Sequence, residues 1–223
     1  MAASHQQVLA SYGSSFSPLS LNPLFWLDAG SLTLADGDPV DTWTDRSGNS
    51  KNFTGADTAR PIFKTGIING LPVVRSDGVD DQLDSASASS VKSIAIVGKY
   101  SSSTIVANTP GLLTGMSAPN NTYIVGGGAG QTIWSVFPGD VSYWKNGVST
   151  AYNTSGAMPM NAFTRMVWTA TTARNYTWRI GRNKLGSVSF WLGDVAEIIA
   201  CSTEWTTTER QNIETYFANK YAL

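Results

Sequence analysis

Short runs of apolar residues alternate with turn-forming residues along most of the chain. Residues 24–27 (LFWL) form a continuous apolar run of the kind seen in strands that are buried on both faces. The pairs Asn69-Gly70 and Asn146-Gly147 each divide two apolar runs, which predicts a tight hairpin at both places. Residues 190–201 form the longest apolar stretch and predict a central strand. Many short strands separated by turns predict an all-β sandwich or jelly roll.

One helix is predicted, at the end of the chain. Thr206 is followed three residues later by Glu209, which is the capping-box pattern in which each side chain accepts a hydrogen bond from an unpaired backbone N–H. The apolar residues that follow fall on one helical face: Ile213, Tyr216, Phe217 and Tyr221. We therefore predict a helix over about 206–221 that packs on the sandwich. The fold class is an all-β, concanavalin A-like jelly-roll sandwich of two antiparallel sheets with a C-terminal α-helix.

The first twenty residues differ from the rest. Residues 1–20 are rich in small residues and Gln and show no strong periodicity, so we predict an N-terminal arm before one domain of residues 21–223. A flexible tail and a docking segment that orders on a neighbouring subunit both fit this composition. A docking segment would use a short amphipathic turn: His5, Gln6, Gln7, Val8, Leu9 and Tyr12.

The composition narrows the class of function. Of the 223 residues, 42% are hydrophobic and 8 are Trp, so the chain can bury a core and does not read as disordered. The net charge is −1 and no basic stripe is present, which argues against a nucleic-acid partner. No apolar run is long enough to cross a bilayer, so we expect no membrane insertion. The N-terminus has no features of a secretory signal, so we expect the protein to be made and kept in a host cytoplasm.

Several segments, in this order, resemble the laminin-G-like branch of the concanavalin A-like jelly rolls found in many phage and bacterial surface proteins. The matching segments are residues 24–29, 43–49, 60–61, 69–75, 77–83, 143–147, 192–199 and 219–221. The resemblance covers about residues 22–223 and implies a two-sheet sandwich. The chain departs from the family at Ser76, where an aromatic residue usually precedes the Asp-Gly turn.

The N-terminus, which has no signal sequence and carries the Gln-containing arm, also looks like that of small phage virion proteins. It favours a non-enzymatic bacteriophage virion surface protein: a decoration, minor tail or fibre-associated subunit. The partners would be other virion structural proteins, further copies of the chain on the particle and host-surface polysaccharide. A stand-alone, lectin-like carbohydrate-binding module is the alternative, and a glycan hydrolase is the least favoured function.

Groups that could carry catalysis are few. Glycosidases use two carboxylates roughly 5–10 Å apart, and three of the four glutamates lie in or next to the predicted helix. Asp194 and Glu197 are three residues apart in a predicted strand, so they should face opposite sides of the sheet. The single histidine, His5, lies in the arm, and the single cysteine, Cys201, lies in an apolar strand. These residues provide no triad and no zinc site, and we predict no catalytic residue and no enzymatic activity.

Calcium is the one metal that the sequence leaves open. Asp77, Asp80 and Asp81 cluster around Gly78, and hard oxygen ligands suit Ca²⁺. The alternative is structural, because Asp side chains in a tight turn cap nearby backbone N–H groups. The resemblance favours the structural turn, so no cofactor is predicted and calcium is kept as the alternative.

The tryptophans divide into predicted core residues and predicted surface residues. Five lie in apolar strands and should be core: Trp26, Trp43, Trp168, Trp178 and Trp191. Trp134 and the adjacent pair Tyr143 and Trp144 are better candidates for exposure, since neighbouring strand residues point to opposite faces. An exposed aromatic ring there could stack on a sugar or anchor a protein contact.

Overall fold

A computed structural model describes residues 16–104, 110–116, 122–127, 132–134, 141–183 and 190–223 of the chain. These residues form fifteen strands and one α-helix. The strands are β1 Phe25–Asp28, β2 Thr42–Trp43, β3 Phe53–Thr54, β4 Ile62–Ile68, β5 Leu71–Asp77, β6 Leu83–Ser85, β7 Ser89–Tyr100, β8 Gly111–Gly115, β9 Thr122–Gly127, β10 Thr132–Trp134, β11 Val141–Lys145, β12 Val148–Ser149, β13 Thr164–Tyr176, β14 Trp178–Ile180 and β15 Leu192–Cys201. The helix, α1, spans Thr207–Tyr221.

The strands form two antiparallel sheets, as predicted. The larger sheet has the order β12-β11-β13-β7-β15-β5-β4, and the smaller sheet has the order β10-β9-β8-β14-β6-β3-β2. Strand β15 is central in the larger sheet: β7 lies along one edge, while β5 and β1 share the other edge. The two Asn-Gly pairs form the predicted turns between β4 and β5 and between β11 and β12, and all four of these residues have positive φ.

The main core lies between the two sheets and is built from large side chains. It buries four of the five tryptophans predicted to be core residues: Trp43, Trp168, Trp178 and Trp191. The fifth, Trp26, is also buried, but it lies on the outer face of the larger sheet, which is the face turned away from the smaller sheet. Cys201 is buried on that face too, as its apolar strand predicted.

Helix α1 covers part of the outer face of the larger sheet. Its capping box is present, with Thr206 as the N-cap and Glu209 three residues on, so the predicted helix is confirmed. Ile213, Phe217 and Tyr221 pack against a second apolar cluster on this face. Burial of this apolar stripe supplies the contact that a single helix needs for stability. No helix within the described part of the chain has the length and apolar character needed to cross a membrane.

The described structure begins within the predicted N-terminal arm, at Phe16. Residues 18–21 form a 3₁₀ turn with Ser17 as its N-cap, and Phe16 packs edge-on against Tyr216 of α1 with the ring centroids 6.3 Å apart. The domain therefore includes residues 16–20. The six predicted docking residues, His5, Gln6, Gln7, Val8, Leu9 and Tyr12, lie outside the described residues, so the docking role stays a prediction.

A β-bulge in β15 makes the side chains of Asp194 and Glu197 point in directions that simple alternation does not predict. The pairing of β15 with β7 shifts register between Val195 and Glu197. Asp194 lies opposite Lys99, and Glu197 lies opposite Val97, which is two residues along β7. Residues two apart in a strand share a face, so Asp194 and Glu197 both lie on the outer face. The prediction that they face opposite sides is wrong, because a bulge adds a residue that simple alternation does not count.

Candidate functional site

A polar cleft lies where β5 and β7 end and β15 begins. Its volume is about 770 Å³, which falls within the roughly 300–1,000 Å³ typical of small-ligand sites. The residues that line it are Thr58, Arg60, Ile62, Arg75, Ser76, Asp77, Asp81, Lys99, Ser101, Leu192 and Gly193. We call this feature the strand-end cleft. It brings cations, carboxylates and two apolar side chains, Ile62 and Leu192, to one place.

One wall of the cleft is a row of charged residues on three neighbouring strands, which we call the charged row: Arg75, Asp194 and Lys99. Arg75 on β5 donates from Nε and Nη2 to the two carboxylate oxygens of Asp194 on β15, at 2.6 and 3.0 Å. Lys99 Nζ on β7 lies 3.3 Å from Asp194 Oδ2. The Asp194 side chain is 0% exposed, whereas those of Arg75 and Lys99 are 36% and 23% exposed. A buried carboxylate therefore holds two cations whose outer surfaces face the cleft.

The charged row is rigid because strand register places its members. Asp194 is the direct cross-strand partner of both Arg75 and Lys99. The hydrogen bonds to Asp194 also raise the pKa of Arg75, so that guanidinium remains charged at any physiological pH. Close approach of β15 to β7 requires Gly193, since a Cβ there would lie 2.1 Å from the Lys99 carbonyl oxygen. A charge inside an otherwise apolar strand is the sequence signal that could have identified these residues.

The acidic turn at the end of β5 also lines the cleft, through Asp77 and Asp81. Asp77, Asp80 and Asp81 do come together, with one carboxylate oxygen of each within 4.8 Å of the others. Asp81 Oδ2 accepts a hydrogen bond from the Asp77 backbone N–H at 2.8 Å, and Asp77 Oδ1 accepts one from Val79 N–H at 2.7 Å. Gly78 has φ +79°, and a Cβ there would lie 2.9 Å from Leu192 Cβ. Both capping and a cation site are compatible with this turn, so calcium stays the alternative to a purely structural turn.

Burial changes the acidity of this turn. The carboxyl of Asp81 is buried, and burial, with the nearby charges of Asp77 and Asp80, raises the pKa of Asp81 to about 6. The hydrogen bond from the Asp77 backbone acts in the opposite direction but does not cancel the effect. The charge of this wall of the cleft therefore changes between mildly acidic and neutral pH.

A second polar cluster is enclosed under α1, and sequence reasoning missed it. Asp28 on β1 and Glu197 on β15 are direct cross-strand partners. Lys220 of α1 bridges them, with Nζ 2.8 Å from Asp28 Oδ2 and 2.7 Å from Glu197 Oε2. Asp28 also accepts a hydrogen bond from Arg46 at 2.6 Å. We call Asp28 and Glu197 the enclosed carboxylate pair.

The two residues of the enclosed carboxylate pair accept many hydrogen bonds from surrounding side chains. Glu197 accepts hydrogen bonds from Trp26 Nε1 at 2.5 Å, Tyr221 Oη at 2.7 Å and Tyr216 Oη at 3.0 Å, besides its contact with Lys220. The side chains of Asp28 and Glu197 are only 4% and 0% exposed. Burial and the neighbouring Asp28 raise the pKa of Glu197, which Lys220 and Tyr221 partly counteract. In this arrangement the pair joins α1 to the larger sheet and does not face a groove.

The structure describes the side chains of two of the three aromatic residues predicted to be exposed, Tyr143 and Trp144. Tyr143 is buried in the main core, stacked on Trp168 at 4.8 Å, and its hydroxyl donates to the Ala157 carbonyl. Trp144 points to the outer face as the alternation predicted, but Arg210 of α1 lies over its ring at 4.5 Å. Trp134 lies in β10, and its side chain is outside the described part of the structure.

No family model and no curated protein matches the chain. Three solved structures of Trypanosoma rangeli sialidase are similar: the complex with sialic acid (12% identity, TM-score 0.47), the covalent intermediate with 2,3-difluorosialic acid (11%, 0.47) and the complex with 2,3-difluoro-KDN (12%, 0.45). The matches cover 93%, 93% and 89% of this chain and 34%, 35% and 33% of those chains, so this chain spans about a third of their length. At these values the likeness assigns neither the sialidase reaction nor its substrate to this chain.

The comparisons correct two expectations from the sequence: that the protein is not an enzyme and that it belongs to a phage virion. The similar structures are sialidases, which are enzymes, and no finding points to a virion. The expectation of a non-enzymatic bacteriophage virion surface protein is therefore wrong and is withdrawn. The laminin-G-like resemblance has no family model behind it, whereas the all-β architecture of two antiparallel sheets with a C-terminal helix is confirmed.

Proposed function

We propose that this chain is a carbohydrate-binding domain of the concanavalin A-like jelly-roll kind and that the strand-end cleft is its saccharide site. The observation that carries the proposal is the presence of both hydrogen-bond donors and acceptors in the lining of one cleft. Arg75 and Lys99 offer N–H donors, and Asp77 and Asp81 offer carboxylate oxygens. A sugar hydroxyl is both a donor and an acceptor, so a saccharide can bind to both kinds of group at once.

The rigidity of the cleft supports the same function. Three of the lining residues lie on strands or at strand ends: Arg75, Asp77 and Lys99. The buried carboxylate of Asp194 holds Arg75 and Lys99 in place. A site whose donors are already in place loses less conformational entropy on binding. Ile62 and Leu192 add apolar surface that can contact the C–H groups of a sugar ring.

The proposal is tested by measuring saccharide binding to the full chain, first on a glycan array and then by calorimetry on the best ligand. Asp77→Asn should weaken binding roughly 10-fold or more, because it removes a charged acceptor, while its amide oxygen can still cap Val79 N–H. Glu204→Gln is the matched control, since Glu204 is exposed and lies beyond the opposite end of β15. Absence of binding to every saccharide class, or equal affinities for wild type and Asp77→Asn, would refute the site.

A further inference from the structure

We infer that the strand-end cleft selects saccharides that carry an anionic group, a carboxylate or a sulfate, and that Arg75 and Lys99 form the seat for it. This inference rests on the proposed saccharide-binding function and adds the class of ligand. It follows from the charge balance of the charged row, in which two cations share the one buried carboxylate of Asp194.

The second positive charge of this row has no counterion within it. Arg75 Nε and Nη2 both bond to Asp194, whereas Nη1 makes no hydrogen bond to a described residue. Lys99 Nζ reaches the same Asp194 oxygen from the other side, at 3.3 Å, and lies 4.9 Å from the centroid of the Phe163 ring. Asp194 itself is 0% exposed, so a ligand meets the cations and not the carboxylate.

The other charges around the cleft are already paired or belong to the acidic turn at the end of β5. Arg60 forms an ion pair with Asp41, and the nearby Asp36 forms one with Lys64. The negative charges of the acidic turn follow the end of β5, whereas Lys99 is on β7, beyond β15. The cleft is thus polarised across three strands, with its unmatched positive charge at Lys99.

A saccharide that carries one anionic group fits this polarity in one orientation. Its carboxylate or sulfate would lie over Asp194, between Lys99 Nζ and Arg75 Nη1, and its hydroxyls would lie toward Asp77. Such contacts are charge-assisted hydrogen bonds, which are stronger than neutral ones. A neutral saccharide would add no counterion for Lys99, which shares the single charge of Asp194 with Arg75, and it would gain no charge-assisted contact from this orientation.

The test uses the full chain and three oligosaccharides of equal length: neutral, hexuronate-containing and sulfated. We expect wild type to bind at least one anionic saccharide roughly 10- to 100-fold more tightly than the neutral one. Lys99→Gln should abolish this preference and Lys99→Arg should retain it. Lys51→Gln, which removes a positive charge outside the cleft, should leave it unchanged. Raising the salt concentration from about 0.1 M to about 1 M shortens the Debye length from about 10 Å to about 3 Å and should reduce the preference.

The outcomes separate the inference from the proposed function. Saccharide binding that is equal for neutral and anionic ligands, or an anionic preference that survives in a folded Lys99→Gln variant, overturns the inference and leaves the proposed function standing. No binding of any saccharide overturns both. Of the two anionic saccharides, the one that binds more tightly identifies the preferred group as a carboxylate or a sulfate. Circular dichroism and the melting temperature establish that each variant is folded.

Discussion

The substitution Glu197→Gln tests whether the enclosed carboxylate pair is what fastens α1 to the larger sheet. Glu197 is 0% exposed and accepts hydrogen bonds from Trp26, Tyr216, Lys220 and Tyr221. Gln keeps one oxygen for Trp26 and Tyr216, but it presents an N–H₂ group where Lys220 and Tyr221 now donate. The donors of Lys220 and Tyr221 then face the amide N–H₂ in a buried site, and the ammonium of Lys220 keeps Asp28 as its one carboxylate partner in the cluster.

The expected loss is large because removing one partner of a buried ion pair costs about 3–5 kcal/mol. In a domain of this size, about 1 kcal/mol corresponds to about 2–4 °C in melting temperature, so Glu197→Gln should melt roughly 10 °C below wild type. The assay is urea unfolding followed by circular dichroism and by tryptophan fluorescence, with the exposed Glu204→Gln as the control. A double-mutant cycle with Tyr221→Phe should show strong non-additivity, since both changes disrupt one cluster. A loss below about 1 kcal/mol, or additive effects, would contradict this reasoning.

Two further predictions concern the cleft. Burial raises the pKa of Asp81 from 3.8 to about 6, so the folded protein retains a proton that the unfolded chain has released. The resulting stabilisation is complete below about pH 4, is lost as the pH rises through about 6, and amounts to at most about 3 kcal/mol. Asp81→Asn should therefore make the free energy of unfolding less dependent on pH between about 4 and 6. An unchanged pH dependence in this variant would disprove the assignment of the raised pKa to Asp81. Gly193→Ala should destabilise the protein by more than about 2 kcal/mol, because its Cβ would lie 2.1 Å from the Lys99 carbonyl oxygen. Gly66→Ala is the control, because Gly66 also has a positive φ but no atom lies within 4 Å of the added Cβ. Equal melting temperatures for the two variants would contradict the reasoning, since they would mean that β15 and β7 move apart to admit the Cβ without cost.

Local signals in the sequence predicted the framework well, because each is decided by a few neighbouring residues. The two Asn-Gly turns and the Thr206 capping box formed where their residues required it. The apolar run over 24–27 predicted a strand that is covered on both faces, by the main core on one side and by α1 on the other. Alternation predicted correctly that Tyr143 and Trp144 point to opposite faces. It could not predict that α1 would lie over Trp144, since that contact joins distant segments.

The polar sites were harder to predict, because they depend on register between distant strands. Arg75 and Lys99 looked like ordinary strand residues, and only pairing with β15 brings both to Asp194. Asp28 follows an apolar run and precedes Gly30, a position typical of a turn residue. It does cap that turn, through its contact with Gly30 N–H at 2.9 Å. Its other oxygen meets Lys220, nearly two hundred residues later in the chain, and nothing local to Asp28 signals that contact.

The bulge in β15 explains how one strand serves two separate polar clusters. If residues 194–197 ran in regular alternation with no bulge, Asp194 and Glu197 would face opposite sides, and one of them would enter the apolar core between the sheets as an unpaired charge. A buried charge without a partner is far more costly than the local disruption of pairing that a bulge causes. With the register shift, both carboxylates lie on the outer face: Asp194 near the exposed strand ends, where Arg75 and Lys99 reach it, and Glu197 beneath α1. The same irregularity therefore positions the carboxylate that holds the cations of the proposed saccharide site and the carboxylate that anchors the helix. Deletion of Ala196 should preserve both clusters, because Asp194 opposite Lys99 and Glu197 opposite Val97 would then be two residues apart in a regular strand and would still share the outer face. Loss of both saccharide binding and the stability of α1 in this variant would contradict the assignment of Ala196 as the bulged residue.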